Sequence, residues 1–151
     1  MDRCKRAYEL HKAGYNCAQA VAGAFADCLP VAEETVFASA GGFGGGVGGS
    51  HQEVCGAVSG GVLALSWLYP HTEGADQAAK RRLYGLCKEY RRRFEDIFGL
   101  SRCGDLLSAQ PGVSTRTPAA ERLGLTGHCD ILIVTAVEQL EALLAEIKDN
   151  S

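Results

Sequence analysis

The stretch Gln52-Glu53-Val54-Cys55-Gly56-Ala57-Val58-Ser59-Gly60-Gly61-Val62-Leu63-Ala64-Leu65-Ser66-Trp67-Leu68 decides the fold. Laid on a 3.6-residue period it is apolar on almost every face, which is the pattern of a helix wrapped by other elements. Pro70 ends it, and His71 to Gly74 read as a turn. The apolar run is broken by glycines and serines, and it falls short of the roughly 20 residues that a bilayer requires. Immediately upstream lies Gly41-Gly42-Phe43-Gly44-Gly45-Gly46-Val47-Gly48-Gly49, with seven glycines in nine positions.

Working outward, nearly every other segment reads as helix. Asp2 is placed to cap a first helix reaching His11 or Lys12 and closed by Gly14. A second helix follows Asn16 and extends to about Cys28, with Cys17, Val21, Phe25 and Cys28 on one apolar stripe. Ala32 to Ala40 reads as a short third helix. The longest helix runs from Ala75 to Phe98, stopped by Gly99, with Leu83, Leu86, Tyr90, Phe94 and Ile97 facing inward. A short helical turn occupies Cys103 to Leu107, and residues 109–127, rich in Pro and Gly, read as a long irregular connection. A final helix from His128 to Lys148 repeats Leu132, Ala136, Leu140, Leu143 and Ile147. The β-branched cluster Ile131 to Val134 merges into that helical pattern. The expected fold is all-α: one domain over residues 1–151, a bundle of about five to seven helices with a glycine-rich loop before the central helix.

Composition narrows the classes of function. The 151 residues are 46% hydrophobic and 22% charged, which excludes a disordered chain. Fifteen basic against eighteen acidic residues leave a formal charge of −3, so no global basic field exists to hold nucleic acid. The opening Met1-Asp2-Arg3-Cys4-Lys5-Arg6 is polar and carries no leader-like apolar run. The reading is cytoplasmic without membrane insertion, where thiols stay reduced unless catalytic, sensing or metal-bound.

Seven cysteines stand at positions 4, 17, 28, 55, 87, 103 and 129, the closest pair eleven residues apart. No Cys-x-x-Cys exists, which removes zinc ribbons, thioredoxin-like motifs and c-type haem attachment. Any shared sulfur site must therefore be assembled by the fold. Cys28 and Cys87 lie on apolar stripes and read as buried core, and Cys4 reads as an exposed terminal residue. Cys17, Cys55, Cys103 and Cys129 each sit near an expected helix N-terminus, where unpaired amides and the helix dipole lower a thiol pKa.

Gly44, Gly46 and Gly49 spell Gly-x-Gly-x-x-Gly, but no strand precedes them and no ribose-binding acid follows, which argues against NAD. A phosphate loop for ATP would need Gly-Lys-Ser/Thr, which is absent. Phe43 and Val47 distinguish the segment from a plain linker. Its glycines are expected to allow close backbone approach, with amides left free for sulfurs, a cofactor or an anion. Gly56 and Gly60 offer a small face for tight helix packing beside Cys55.

Cys55-Gly56-Ala57-Val58-Ser59-Gly60 resembles the Cys-Gly-Ala-x-x-Gly motif of the C_GCAxxG_C_C family of redox-active proteins. Asn16-Cys17-Ala18-Gln19-Ala20-Val21, Gly42-Phe43-Gly44-Gly45-Gly46, and the later Cys103 and Cys129 resemble it too, so the likeness runs from about residue 2 to residue 147. It implies a helical protein with four characteristic cysteines, here Cys17, Cys55, Cys103 and Cys129, acting as the catalytic or metal-ligating set. Gly44, Gly45, Gly46 and Gly56 stand beside them as the cofactor-binding backbone. The likeness also implies an Fe–S cluster or another metal, a cluster having been associated with the similar domain of split-Soret cytochrome c. Family members are often encoded near transport genes, which links the expected redox partner to a transport system. Val54 stands where many members carry a polar residue, and Gly104-Asp105 replaces a commoner Arg-Glu.

Three functions follow as expectations. The first is Fe–S or metal binding by the four cysteines, with electron transfer or redox sensing. The second is a metal-free thiol–disulfide oxidoreductase. The third is a helical small-molecule or partner-binding module with structural cysteines. His128 and His51 could add nitrogen ligands, although solvated or capping roles suit them better. The basic residues between 80 and 93 are interrupted by Glu89 and read as a solvated face. Ser59 lies inside a helix and lacks the strand-to-helix turn of a nucleophile elbow. The amphipathic helices allow a homodimer.

Overall fold

Four helices start on side-chain caps. In the computed structural model, which describes residues 1–150, α1 spans Arg3–Lys12 and Asp2 accepts from the Lys5 amide at 3.1 Å. Helix α2 (Cys17–Gly23) opens on a reciprocal capping box: Asn16 accepts from the Gln19 N–H at 2.9 Å, and the Asn16 N–H donates to Gln19 Oε1 at 3.0 Å. Helices α3 (Glu33–Ala40) and α4 (Gly56–Leu68) follow. Helix α5 (Gln77–Phe98) is capped by Asp76 and stopped by Gly99 at φ 79°. The chain then forms α6 (Cys103–Ala109), α7 (Pro111–Ser114), α8 (Pro118–Arg122, capped by Thr117) and α9 (His128–Asp149). The fold is all-α. Among the described residues there are nine α-helices and two short 3-10 turns, and one isolated antiparallel bridge joins Val54 to Arg102.

The helix count exceeds the five to seven expected because the 109–127 connection is not irregular. Pro111 and Pro118 each begin a short helix at a first-turn position, where the missing N–H costs nothing. Helix α2 also ends five residues before Cys28. At Gly23 a Cβ would lie 2.6 Å from the Phe37 ring, so α3 packs where the stripe would have continued. The chain bends there, and Cys28 is exposed instead of buried. The α4 helix begins at Gly56 and not at Gln52, because residues 53–55 run extended against 101–103.

Helix α9 anchors the larger core, with Ile131 through Val137 buried without a break. Helix α1 lies along it, α2 and α4 pack on it, and α5 closes the far side. The small side chains of α2 let it serve two cores at once: Ala20, Val21 and Ala24 face the larger one, while Ala18 and Ala22 join Leu29, Val36 and Ala40 in a second. Helix α4 is less enclosed than its composition implies, since Val62, Leu63 and Trp67 are only half-buried. Tyr90 ties α5 to it. The ring fills the space a Gly61 side chain would take, and the buried hydroxyl donates to the Ala57 carbonyl at 2.7 Å. The basic face of α5 is a set of ion pairs, Arg92 and Arg93 sharing Glu89 at 2.6 and 3.0 Å, as a solvated face requires.

Cys4 is buried, contrary to its terminal position, because α1 lays it against α9 with its thiol 3.5 Å from the Val134 carbonyl. Burial pushes its thiol up to about 12 from an ordinary value near 9. Between those values the unfolded chain releases a proton that the folded chain keeps, so stability is lost as pH rises through this window. The urea midpoint should therefore fall between pH 9 and pH 12, with a shallower fall in Cys4→Ala than in the wild type.

Candidate functional site

Four separate helix starts converge on one cavity of about 110 Å³. Cys17 is the first residue of α2, Cys55 immediately precedes α4, Cys103 is the first residue of α6 and Cys129 the second of α9. All four line the cavity. Cys55 and Cys103 are buried, Cys17 is half-buried and Cys129 is the exposed member. Ala57, Leu106, Leu107, Leu132 and Ile133 complete an apolar wall. All seven cysteines are free thiols.

Two backbone devices bring the sulfurs together. The first is the close contact of α2 with α4. A Cβ at Gly56 would lie 2.1 Å from Cys17 Sγ, and one at Gly60 would lie 2.5 Å from the Ala18 carbonyl oxygen. The second is the bridge between Val54 and Arg102. The Cys55 N–H donates to Ser101 O at 2.7 Å and the Cys103 N–H donates to Glu53 O at 2.9 Å, so the bridge sets both cysteines directly after it. Arg102 reinforces this by donating to the Gln52 carbonyl at 2.9 Å.

The glycine segment closes over the same place. The Gly45 N–H donates to Cys17 Sγ at 3.5 Å, and Gly45 lines the cavity. The other glycines of the expected backbone cradle serve close approach. Gly44 abuts the Asn16 side chain, Gly46 abuts Cys103 and His51, and Gly56 abuts Cys17. Val47 and His51 hold left-handed backbone at φ 66° and 62°, a costly state for a β-branched residue.

Residues 15–143 match the profile of the C_GCAxxG_C_C family, described as "putative redox-active protein". The chain belongs to the C_GCAxxG_C_C family. Neither a curated protein nor a solved structure shows significant similarity to it. In this C_GCAxxG_C_C protein Cys17, Cys55, Cys103 and Cys129 line the cavity, while Cys4, Cys28 and Cys87 are not among its lining residues. No helix among the described residues is long and apolar enough to cross a membrane.

Electrostatics at the C_GCAxxG_C_C site run against the lowering expected at helix ends. Burial pushes Cys55 up to about 12, with the neighbouring Cys17, Cys103 and Cys129 sulfurs adding to the effect. Burial also raises Cys103 and Cys129, again reinforced by neighbouring sulfurs. Loss of water outweighs the helix-end field in this apolar cavity. Among the described residues no three His, Cys, Asp or Glu side chains are drawn close enough to grip a single metal ion.

His128 is the site residue that sequence reasoning placed wrongly. It is not solvated but 7% exposed, lining the cavity, and burial pushes its imidazole pKa down. Its Nδ1 accepts from the Gly112 N–H at 3.2 Å. No local signal in the sequence marks this burial, since the neighbouring Cys129 is exposed and Asp130 only half-buried. His51 also lines the cavity, but from an exposed loop; because α4 starts at Gly56, it shares no helix face with Cys55.

The close packing of α2 on α4 has a direct consequence. Gly56→Ala and Gly60→Ala should each lower stability by about 1–3 kcal/mol through overpacking. Gly85→Ala, in α5 with nothing near its Cβ position, should instead raise it by up to about 1 kcal/mol through helix propensity. Urea titration of the three variants checks the contrast.

Proposed function

We propose that Cys17, Cys55, Cys103 and Cys129 hold an iron–sulfur cluster and that the protein transfers or senses electrons through it. The observation that carries this reading is the convergence of these four cysteines, and no others, on one cavity. Its size supports a group of several atoms. A single zinc needs sulfurs at about 2.3 Å, hence a far tighter set, whereas about 110 Å³ is several times the 10–15 Å³ that one water molecule needs. When bound, such a cluster supplies one-electron chemistry.

The chain's own groups suit that role. The Gly45 amide already points at Cys17 Sγ, and amide donors to sulfur stabilise negative charge there. The leucine and isoleucine side chains make the cavity wall largely apolar. Gly46 and Gly56 present no side chain where Cys103 and Cys17 pack against them. The raised thiols hold their protons until a cofactor takes them as thiolates, so loading releases protons and strengthens with pH. The exposure of Cys129 at the cavity's edge supports approach of a redox partner from that side. One observation favours a second reading: Cys17 Sγ rests against Gly56, next to Cys55, so a dithiol–disulfide pair is the metal-free alternative.

Anaerobic purification followed by iron and sulfide assay tests the first reading. Iron and sulfide should be present with visible absorbance. Replacing any one of Cys17, Cys55, Cys103 or Cys129 by Ser should cut iron content severalfold, with Cys28→Ser and Cys87→Ser unchanged. Colourless, iron-free protein rejects the cluster. Free-thiol counts that change by two across redox buffers, and no longer do so in Cys17→Ser, then select the disulfide reading.

A further inference from the structure

We infer that His128 is a fixed hydrogen-bond donor to the sulfur-containing group held among the four cysteines, and not one of its ligands. The inference rests on the cluster reading above and concerns one residue's part in it. Nδ1 of His128 accepts from a backbone amide, the Gly112 N–H, which can only donate. The lone pair is therefore on Nδ1 and the proton on Nε2. Gly112 is part of the device: a Cβ there would lie 2.8 Å from Nδ1 and 2.7 Å from the His128 carbonyl oxygen, so only glycine lets the amide approach.

That leaves Nε2–H. It is buried and has no partner within the protein, on a ring that lines the cysteine cavity. Buried donors are nearly always satisfied, so an orphan at a cavity wall points to an acceptor brought in from outside. Besides the thiols the wall holds Gly45, His51, Ala57, Leu106, Leu107, Leu132 and Ile133, and none of these residues, nor any cysteine sulfur, makes a hydrogen bond with Nε2. A metal ligand would need a lone pair on Nε2, which carries the proton instead. An inorganic sulfide has the required acceptor character. A hydrogen bond to it favours the reduced, more negative state over the oxidised one, which raises the reduction potential.

Two conservative replacements separate the two nitrogens. His128→Asn keeps an oxygen for the Gly112 amide and loses the N–H at the Nε2 position, and His128→Gln restores an N–H near it. Anaerobically purified holoprotein is titrated with dithionite while visible absorbance and iron content are followed. His128→Asn should shift the reduction equilibrium about tenfold toward the oxidised form, about 59 mV for one electron, and His128→Gln should recover most of it. In metal-free protein, nitrogen NMR should find His128 as the Nε2–H form. An Asn variant at the wild-type potential, a Gln variant as low as Asn, or an Nδ1–H imidazole overturns the inference while leaving the cluster intact. Wild-type protein without iron and sulfide removes the acceptor and overturns both readings.

Discussion

Helix α4 can lie on α2 only because Gly56 and Gly60 present no side chains where Cys17 Sγ and the Ala18 carbonyl press in. That contact joins two helix starts distant in sequence, and the rest of the site is built around it. The Val54–Arg102 bridge then sets Cys103 beside Cys55. Helix α9, held against α1 by the Cys4 contact and by His11 on Asp130 at 2.7 Å, brings His128 and Cys129 to the same cavity. Without the glycine contact Cys17 and Cys55 would be held apart.

The site shows two electrostatic effects in opposition. A helix N-terminus favours a thiolate by a modest amount that decays within a turn, and all four cysteines occupy such positions. Removal from water opposes ionisation, and for Cys55, Cys103 and Cys129 it prevails. Thiols held in that way are poor nucleophiles by themselves. They become anions only when something in the cavity compensates the charge, which is why geometry rather than thiol acidity carries the functional reading. The strained Val47 and His51 fit the same picture, since left-handed residues outside glycine persist where surrounding structure imposes them.

Much of the fold is readable from local chemistry. Asp2, Asn16 and Gly99 act within a few residues of their own position, so the helix ends they set are legible in the sequence. The failures share one cause, which is long-range packing. Nothing near Gly23 reveals that the Phe37 ring will occupy its Cβ space and leave Cys28 outside. The Val54–Arg102 bridge spans 48 positions and has no local signature beyond one β-branched residue in an otherwise polar approach. For the site, the four cysteines were identifiable by motif and helix position, but His128 was not. Its burial depends on Gly112, whose role appears only when residues 112 and 128 are seen in contact.

Helix α9 binds stability and function into one element. Its middle, Ile131 to Val137, is buried without a break, and its first turn supplies His128 and Cys129. A change that loosens the core there shifts the start of the helix, and with it one sulfur and the imidazole. The reverse also holds. A group bound by the four cysteines contacts α2, α4, α6 and α9 together and binds only when all four are assembled, so its binding free energy adds to folding stability by mass action. An unloaded chain has the same core but leaves the Nε2–H of His128 without an acceptor. If a group is bound as proposed, the polar cost at this cavity would be met in the loaded protein alone, and that group would hold the helices in register alongside their own packing.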